Sequence, residues 1–357
     1  VSDGWFIRKD WLDKLGLDVP HSVEEYYNVL KAFKNQDPNG NGINDEIPFF
    51  SRKSGVNYTD SIVSLLNLWG VSRGIKEKDN KIVFLPCEPE YIKAVSTIAK
   101  WYKEGLIDPE IYTRGGSARD ELLGDNIGGS TYDWIGSTAS YNDILSSKIK
   151  GFDFVPIAPP SGAVYTRREI KKSFGWGISK KSTEEITAIR YKDFWFSKEG
   201  RILANFGIEG KTYDMVDGKP ILKKSIINNY DEGSVVDNLK EYGAQMNMGY
   251  YQDFNYEKQW LSPIAVKAIE EYQKNGYLKR YVNKEINLGA DELKRVTEIS
   301  AFIDDYVVSM EQKWILGRTD IESTYNEFLS TLHKMNVDEL IDIYNKAYEE
   351  SQQCEGE

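Results

Sequence analysis

Short apolar runs alternate along this chain with segments of helical period, and that alternation points to α/β packing rather than to a helical bundle or a β-sandwich. Trp5-Phe6-Ile7 reads as a buried strand, followed by a compact helix around Trp11, Leu12 and Leu15 that Gly16 stops. Ser22 caps the next helix, with Glu25 three residues on and Tyr26, Val29, Leu30 and Phe33 as its apolar stripe. Thr59 caps a helix carrying Ile62, Leu65, Leu66 and Trp69, which ends at Gly70. Lys81 to Leu85 reads as a strand, and Tyr91 to Glu104 as a helix with Ile92, Val95, Ile98 and Trp101 at helical spacing. Phe152 to Ile157 and the glycine-punctuated Ser173 to Ile178 are two further strands. Leu123 to Ser140, rich in Gly, Ser and Thr, reads as a crossing or a lined cleft that carries Asp133 and Trp134.

The second half is more helical. Ser182 with Glu185 opens a helix through Ile186 and Ile189 towards Phe194, and Ser262-Pro263 opens another through Val266 and Ile269. One long helix runs from about Asp291 to Leu316, ended by Gly317; Thr319 with Glu322 and Asn336 with Glu339 start two more. Trp11, Trp69, Trp101 and Trp195 fall on helix stripes and read as core.

Charge and motifs then exclude whole classes of function. Against 56 Asp and Glu stand 45 Lys and Arg, a formal charge of -11, which opposes gripping a phosphate backbone; no nucleic-acid partner is expected. No run of eighteen apolar residues is present to span a membrane. Val1-Ser2-Asp3-Gly4 has neither the basic start nor the apolar core of a secretion signal, so either a signal was removed or the chain begins inside a longer product. His21 and His333 are the only histidines and have no metal-spaced partner. Neither of the nucleotide-binding glycine motifs occurs. Cys87 and Cys354 decide neither compartment nor pairing, and read as a small buried hydrophobe and a tail thiol.

The sharpest local signal is Asp37-Pro38-Asn39-Gly40-Asn41-Gly42-Ile43-Asn44-Asp45-Glu46. Oxygen-bearing side chains fall at loop positions one, three, five and nine, a glycine at six where the chain must turn sharply, and Ile43 at seven offers its carbonyl. That is the donor set of a hard cation, calcium rather than the stricter magnesium. The bidentate Glu usual at position twelve is replaced by Pro48, and Glu46 is the substitute. An Asn/Gly-rich turn that needs no ion is the alternative.

Ile7 to Gly16, Val19-Pro20, Glu24-Glu25, this loop and Ile47-Pro48 together resemble the substrate-binding lipoproteins of carbohydrate ABC importers. The likeness is greatest to the Gram-positive branch related to alginate-binding and other oligosaccharide-binding proteins. Phe174 to Ser179, Phe206 to Tyr213 and Phe328 to Ala347 extend it over essentially the whole chain. The resemblance implies a type II periplasmic-binding-protein-like fold, two α/β lobes that close about a hinge on a sugar. It also implies a structural calcium on Asp37, Asn39, Asn41, Asp45 and Glu46, away from the sugar. An ABC permease as partner and an extracellular location with a lipid anchor outside this chain follow from it too. Members of the family carry a long segment ahead of the Trp5 region, so the first lobe is expected to be incomplete: residues 1–131 and 167–357 belong mainly to the second lobe and 132–166 to the first.

A pyranose offers an apolar face and a rim of hydroxyls, and so calls for flat rings beside short polar groups. Trp176, between two glycines, is the first candidate. Trp134 with Asp133, Tyr213, Tyr58 and Tyr251 follow, with Tyr250, Tyr256 and Trp260 as a looser cluster that more readily packs than binds. Arg114, Arg167 and Arg168 are available to an acidic sugar, but ordinary ion pairing accounts for each. Two other classes stay open: a calcium-stabilised glycoside hydrolase, for which Asp133, Glu209 and Asp253 are the paper candidates, and a non-catalytic surface module. Binding without turnover is the reading taken, and no catalytic residue is assigned.

Overall fold

The computed structural model describes residues 3–52, 62–167, 170–171, 176–227, 234–280 and 286–353. Their contacts gather them into two compact units: the described parts of 4–133, 141–163 and 282–357 make the larger, and those of 1–3, 134–140 and 164–281 the smaller. These boundaries differ from the lobe segments expected above, since 164–281 closes on itself and 141–163 packs with 4–133.

The larger unit carries strands β1 (Asp3–Arg8), β2 (Ile47–Phe49), β3 (Ile75–Lys78), β4 (Lys81–Phe84), β5 (Gly128–Trp134) and β6 (Phe154–Ile157). Four of them form a sheet in the order β2-β5-β1-β6. β2 runs parallel to β5, with Ile47 opposite Gly128, and β6 runs antiparallel to β1, with Trp5 opposite Ile157. Trp5, Phe6 and Ile7 are fully buried, as the apolar run requires.

β5 is an interior strand that its Gly/Ser/Thr composition concealed. A Cβ on Gly129 would lie 2.7 Å from Phe33 Cδ2 and 2.9 Å from the Pro48 carbonyl, so only glycine lets the Val23–Asn35 helix lay its aromatic face on the sheet. Next along, the Ser130 hydroxyl donates to the Phe6 carbonyl at 2.7 Å and meets the Tyr26 hydroxyl at 2.7 Å, tying strand, neighbour and helix together. The crossing does exist, at the end of this strand: the chain leaves the larger unit after Asp133 and re-enters at Tyr141.

Helix ends follow the capping chemistry with two shifts. Ser22 accepts the Glu25 N–H at 3.1 Å, while the Glu25 carboxylate takes the His21 N–H at 2.7 Å. The Ile321–Lys334 helix is opened by Asp320, which accepts the Ser323 N–H at 2.8 Å, one residue beyond the expected Thr319. The Glu185–Phe194 helix has no side-chain cap, because the Ser182 hydroxyl takes the Glu184 N–H just outside it. β3 went unread in the sequence; Asp79 and Asn80, both at positive φ (53° and 60°), make the tight hairpin turn that pairs it with β4.

The long helix is Ala290–Ile315, packed against the Pro89–Lys103 and Val337–Gln353 helices. On its inner face Glu311 is fully buried. Arg73 forks onto it through Nε at 3.0 Å and through Nη2, and the Tyr91 hydroxyl donates to the same carboxylate. Burial, and after it this contact with an anion, raise the Tyr91 pKa well above its ordinary value.

In the smaller unit one core gathers Phe206, Tyr213, Leu222, Ile226, Leu239, Ala244 and Tyr256, and a second gathers Trp195, Ala204 and Tyr250. Tyr213–Val216 and Lys219–Leu222 form a hairpin, Tyr250–Tyr251 pairs antiparallel with Ile170–Lys171, and Leu278–Arg280 pairs parallel with Tyr165–Arg167. Two expectations fail here. Residues 176–179 form no strand, and 173–175 lie outside the described residues. Ile186 and Ile189, read as an inward stripe, are 68% and 49% exposed; helical period identifies an apolar face but not what covers it.

Glu311→Ala removes the buried carboxylate that Arg73 and Tyr91 share and is expected to cost about 3–5 kcal/mol in urea unfolding. Ser22→Ala should cost only about 1 kcal/mol. Equal costs for the two would show that the buried pair contributes nothing special.

Candidate functional site

The loop from Asp37 to Glu46 turns its oxygens inward. Asp37 sits at φ 46° and Gly42 at φ 80°, a left-handed conformation that glycine adopts without strain. Asp37 accepts the N–H groups of Gly40 (2.8 Å), Asn41 (3.1 Å) and Gly42 (3.0 Å). Asn39 accepts from the Asn41 N–H at 2.9 Å, and Asn41 from the Ile43 N–H at 2.7 Å. The side-chain amides of Asn39 and Asn41 in turn donate to Asp45 at 3.0–3.2 Å. The Lys14 ammonium donates to the Pro38 carbonyl at 2.9 Å and Lys34 to the Glu46 carbonyl at 3.1 Å, fastening the loop to the two helices before it.

Glu46 stands apart. It is 1% exposed, and neither carboxylate oxygen makes a hydrogen bond among the described residues. Burial raises its pKa; the nearby N–H groups of Glu46 and Asn39 pull the other way, and the charges of Asp37 and Asp45 add to the rise. Three carboxylates and the amides of Asn39 and Asn41 thus gather within ten residues, and both neighbouring lysines bond backbone carbonyls. The orphaned carboxylate fits a divalent cation with oxygen ligands. The ring is not drawn to a single point, for no three acidic, histidine or cysteine side chains among the described residues converge tightly enough to form a metal cluster.

A second charged cluster stands at the C-terminal ends of the adjacent parallel strands β2 and β5. Arg52 meets Asp133 side-on, Nε to Oδ2 at 2.6 Å and Nη2 to Oδ1 at 3.1 Å, and Arg119 Nη1 reaches the same Oδ2 at 3.1 Å. The Arg119 guanidinium lies 5.0 Å from the Tyr141 ring centre, and the Tyr141 hydroxyl donates to Asp120. Neither Arg52 nor Arg119 was singled out in the sequence. The available signal was the position of Arg52, three residues past the end of a buried strand, where ligands of α/β sheets gather.

The aromatic candidates scatter. Trp176 is 46% exposed, with the Lys192 ammonium 5.9 Å from its ring centre. Trp134 ends β5 half-buried. Tyr251, also half-buried, stands edge-on to Phe196 with Arg201 at 5.9 Å from its ring centre. Tyr213 is in the core against Phe206, placed there by a closed turn whose Thr212 hydroxyl donates to the Phe206 carbonyl and accepts the Ile208 N–H. Tyr250 and Tyr256 are fully buried. Tyr58 and Arg168 lie outside the described residues, as does Cys354. Burial raises the Cys87 thiol to about 11.

No family model matches the chain. A crystal structure of the alginate-binding protein AlgQ2 without calcium ion aligns at TM-score 0.77 and 33% identity, over 98% of this chain and 72% of that one. The chain belongs to the solute-binding proteins of carbohydrate ABC transporters. The fructooligosaccharide ABC transporter substrate-binding protein FusA of Streptococcus pneumoniae is 25% identical over 380 residues, 99% of this chain and 66% of FusA. Lipoprotein LipO of Bacillus subtilis is 25% identical over 372 residues, 97% of this chain and 68% of LipO. The chain therefore spans about two-thirds of the length of these curated relatives. A structure of a FusA EF-hand mutant in complex with fructo-nystose shares the fold at TM-score 0.68.

Solute-binding proteins of this family are non-catalytic, which removes the glycoside hydrolase. The three paper candidates are differently placed: Asp133 is held by two arginines, Asp253 caps a short helix and pairs with Arg201 Nε at 3.3 Å, and Glu209 is exposed in the turn before Tyr213. In this solute-binding protein Tyr213→Phe is expected to leave ligand affinity unchanged, and Tyr213→Ala to cost about 3–5 kcal/mol of stability. Calorimetry and denaturant unfolding read the two effects separately; lost affinity in Tyr213→Phe would move this ring from the core to the binding surface.

Proposed function

We propose that this protein binds an oligosaccharide outside the cell and hands it to the permease of an ABC importer, with a structural calcium in the Asp37 to Glu46 loop. The observation that carries the sugar reading is the 33% identity to an alginate-binding protein over nearly the whole chain; the fructooligosaccharide role of FusA agrees with it. LipO, named a lipoprotein, supports attachment at the cell surface through a lipid. The two lobes are assigned to the two compact units. Trp176, Trp134, Asp133 and Tyr251 are the proposed sugar contacts among the described residues, with Tyr58 beyond them.

The calcium is supported by the buried, unpartnered carboxylate of Glu46. Asp37, Asn39, Asn41, Asp45 and Glu46 would hold the ion with the carbonyl of Ile43, and its charge would offset three clustered carboxylates. That AlgQ2 is described without its calcium ion, and FusA with an altered EF-hand, supports a cation-binding loop in these relatives.

Calcium at a hundred times its Kd is expected to raise the melting temperature by about 3–6 °C. Glu46→Gln removes a desolvated charge, so it should melt higher than the parent in chelator and respond weakly to calcium. A parent protein indifferent to calcium would leave the loop as a turn only. Independently, a cognate oligosaccharide should raise the melting temperature, and Trp176→Ala should weaken binding by about tenfold through loss of one ring contact; a structural surface module would answer to calcium and to no sugar.

A further inference from the structure

The Arg52 cluster is built as a presenting device. Its three charged members are graded in exposure: the side chains of Asp133 and Arg119 are 9% and 10% exposed, and that of Arg52 is 23%. Asp133 occupies the Nε and Nη2 edge of Arg52, fixing the plane of the guanidinium. The Nη1 donors of Arg52 have no hydrogen-bond partner among the described residues. Arg119 is anchored behind Asp133, over the Tyr141 ring, with Asp120 taking the Tyr141 hydroxyl. A half-exposed donor edge, held rigidly at the C-terminal ends of two parallel strands, stands where α/β sheets gather their ligands.

The charges also balance. Among the described residues two guanidinium groups face two carboxylates, Asp133 and Asp120, and the chain as a whole carries -11. The donor edge therefore has no uncompensated positive charge for an anionic sugar, whereas a hydroxyl or ring oxygen asks only for N–H groups in a fixed direction. We infer that Arg52 is a specificity-determining residue of the sugar site that donates through Nη1 to an uncharged sugar, and that Asp133, proposed above as a direct contact, serves the site instead as a positioning residue with Arg119, the two holding Arg52 and balancing its charge. This rests on the sugar-binding reading. It separates this chain from the alginate-binding AlgQ2, whose ligand is acidic.

The test titrates the full chain, with calcium present, against neutral gluco-, fructo-, galacto-, manno- and xylo-oligosaccharides and against oligomers of mannuronate and galacturonate. A neutral member should bind tighter than any uronate. Arg52→Gln leaves Asp133 paired with Arg119, so it should fold, and should weaken that sugar by about tenfold to a hundredfold. Arg52→Lys keeps the charge but not the planar edge and should recover little of the loss. Asp133→Asn, if it folds, should move the neutral-to-uronate affinity ratio at least about tenfold towards uronates; a purely structural role would leave that ratio alone. Parent affinity and ratio in Arg52→Gln would overturn the role of Arg52 while the sugar reading stands, and a uronate bound tightest by the parent would overturn the neutral preference. If no sugar of either set binds, the sugar reading falls and the inference falls with it.

Discussion

The carboxylate of Glu46, buried without a partner, sets the terms for the larger unit. The residue after it begins β2, and β2 is in register with β5, Ile47 opposite Gly128. Whatever fixes Glu46 therefore fixes the edge of the sheet, and through it the strand end from which Arg52 and Asp133 meet. An isolated ionised carboxylate in such surroundings is strongly unfavourable, and a chain with two nearby lysines could have placed one against it. Lys14 and Lys34 instead bond backbone carbonyls. That choice leaves the acidic ring intact, which is what a cation site requires and a plain turn does not.

Elsewhere the protein handles buried charge by pairing it. Glu311 has Arg73 and Tyr91; Asp108, fully buried, has Arg114 in a two-pronged contact at 2.7 and 2.9 Å; Arg8, 1% exposed, has Asp10 and lies between the rings of Trp11 and Phe152. In each case the planar guanidinium satisfies both oxygens of a carboxylate at once. Against that background Glu46 is an exception within its own molecule. The Arg52 and Asp133 contact belongs formally with the paired group, but it differs in leaving one edge of its arginine to solvent.

How much of this was legible in the sequence depended on whether a signal was local. Helix periods and caps are local, and the Ser22, Ser262 and long 290–315 helices were read nearly to the residue. The Asp37 to Glu46 loop is local too, since its oxygen-bearing side chains lie within ten residues. β5 was missed as a strand because its glycines are there for the Phe33 ring and the Pro48 carbonyl, neighbours far away in sequence. Tyr213 was misplaced for a related reason: the motif around it closes a turn on Thr212 and aims the ring inward. Arg52 and Arg119 matter only through Asp133, fourteen and more residues distant, and no spacing rule joins them.

β5 shows why these two kinds of information meet in one strand. Its first four residues, Gly128 to Thr131, are buried, and its last three, Tyr132 to Trp134, are half-buried. The buried half is chosen for fit: side chains small enough for a helix to lie on the sheet and a serine to bridge its layers. The other half carries Tyr132, whose ring centre lies 5.1 Å from that of Trp5, and Asp133, which Arg52 and Arg119 hold. Because side chains alternate along a strand, a shift of one residue in the buried half would turn Asp133 to the opposite face. The packing of Gly129 and Ser130 thus sets the direction of Asp133, and Asp133 sets the plane of Arg52.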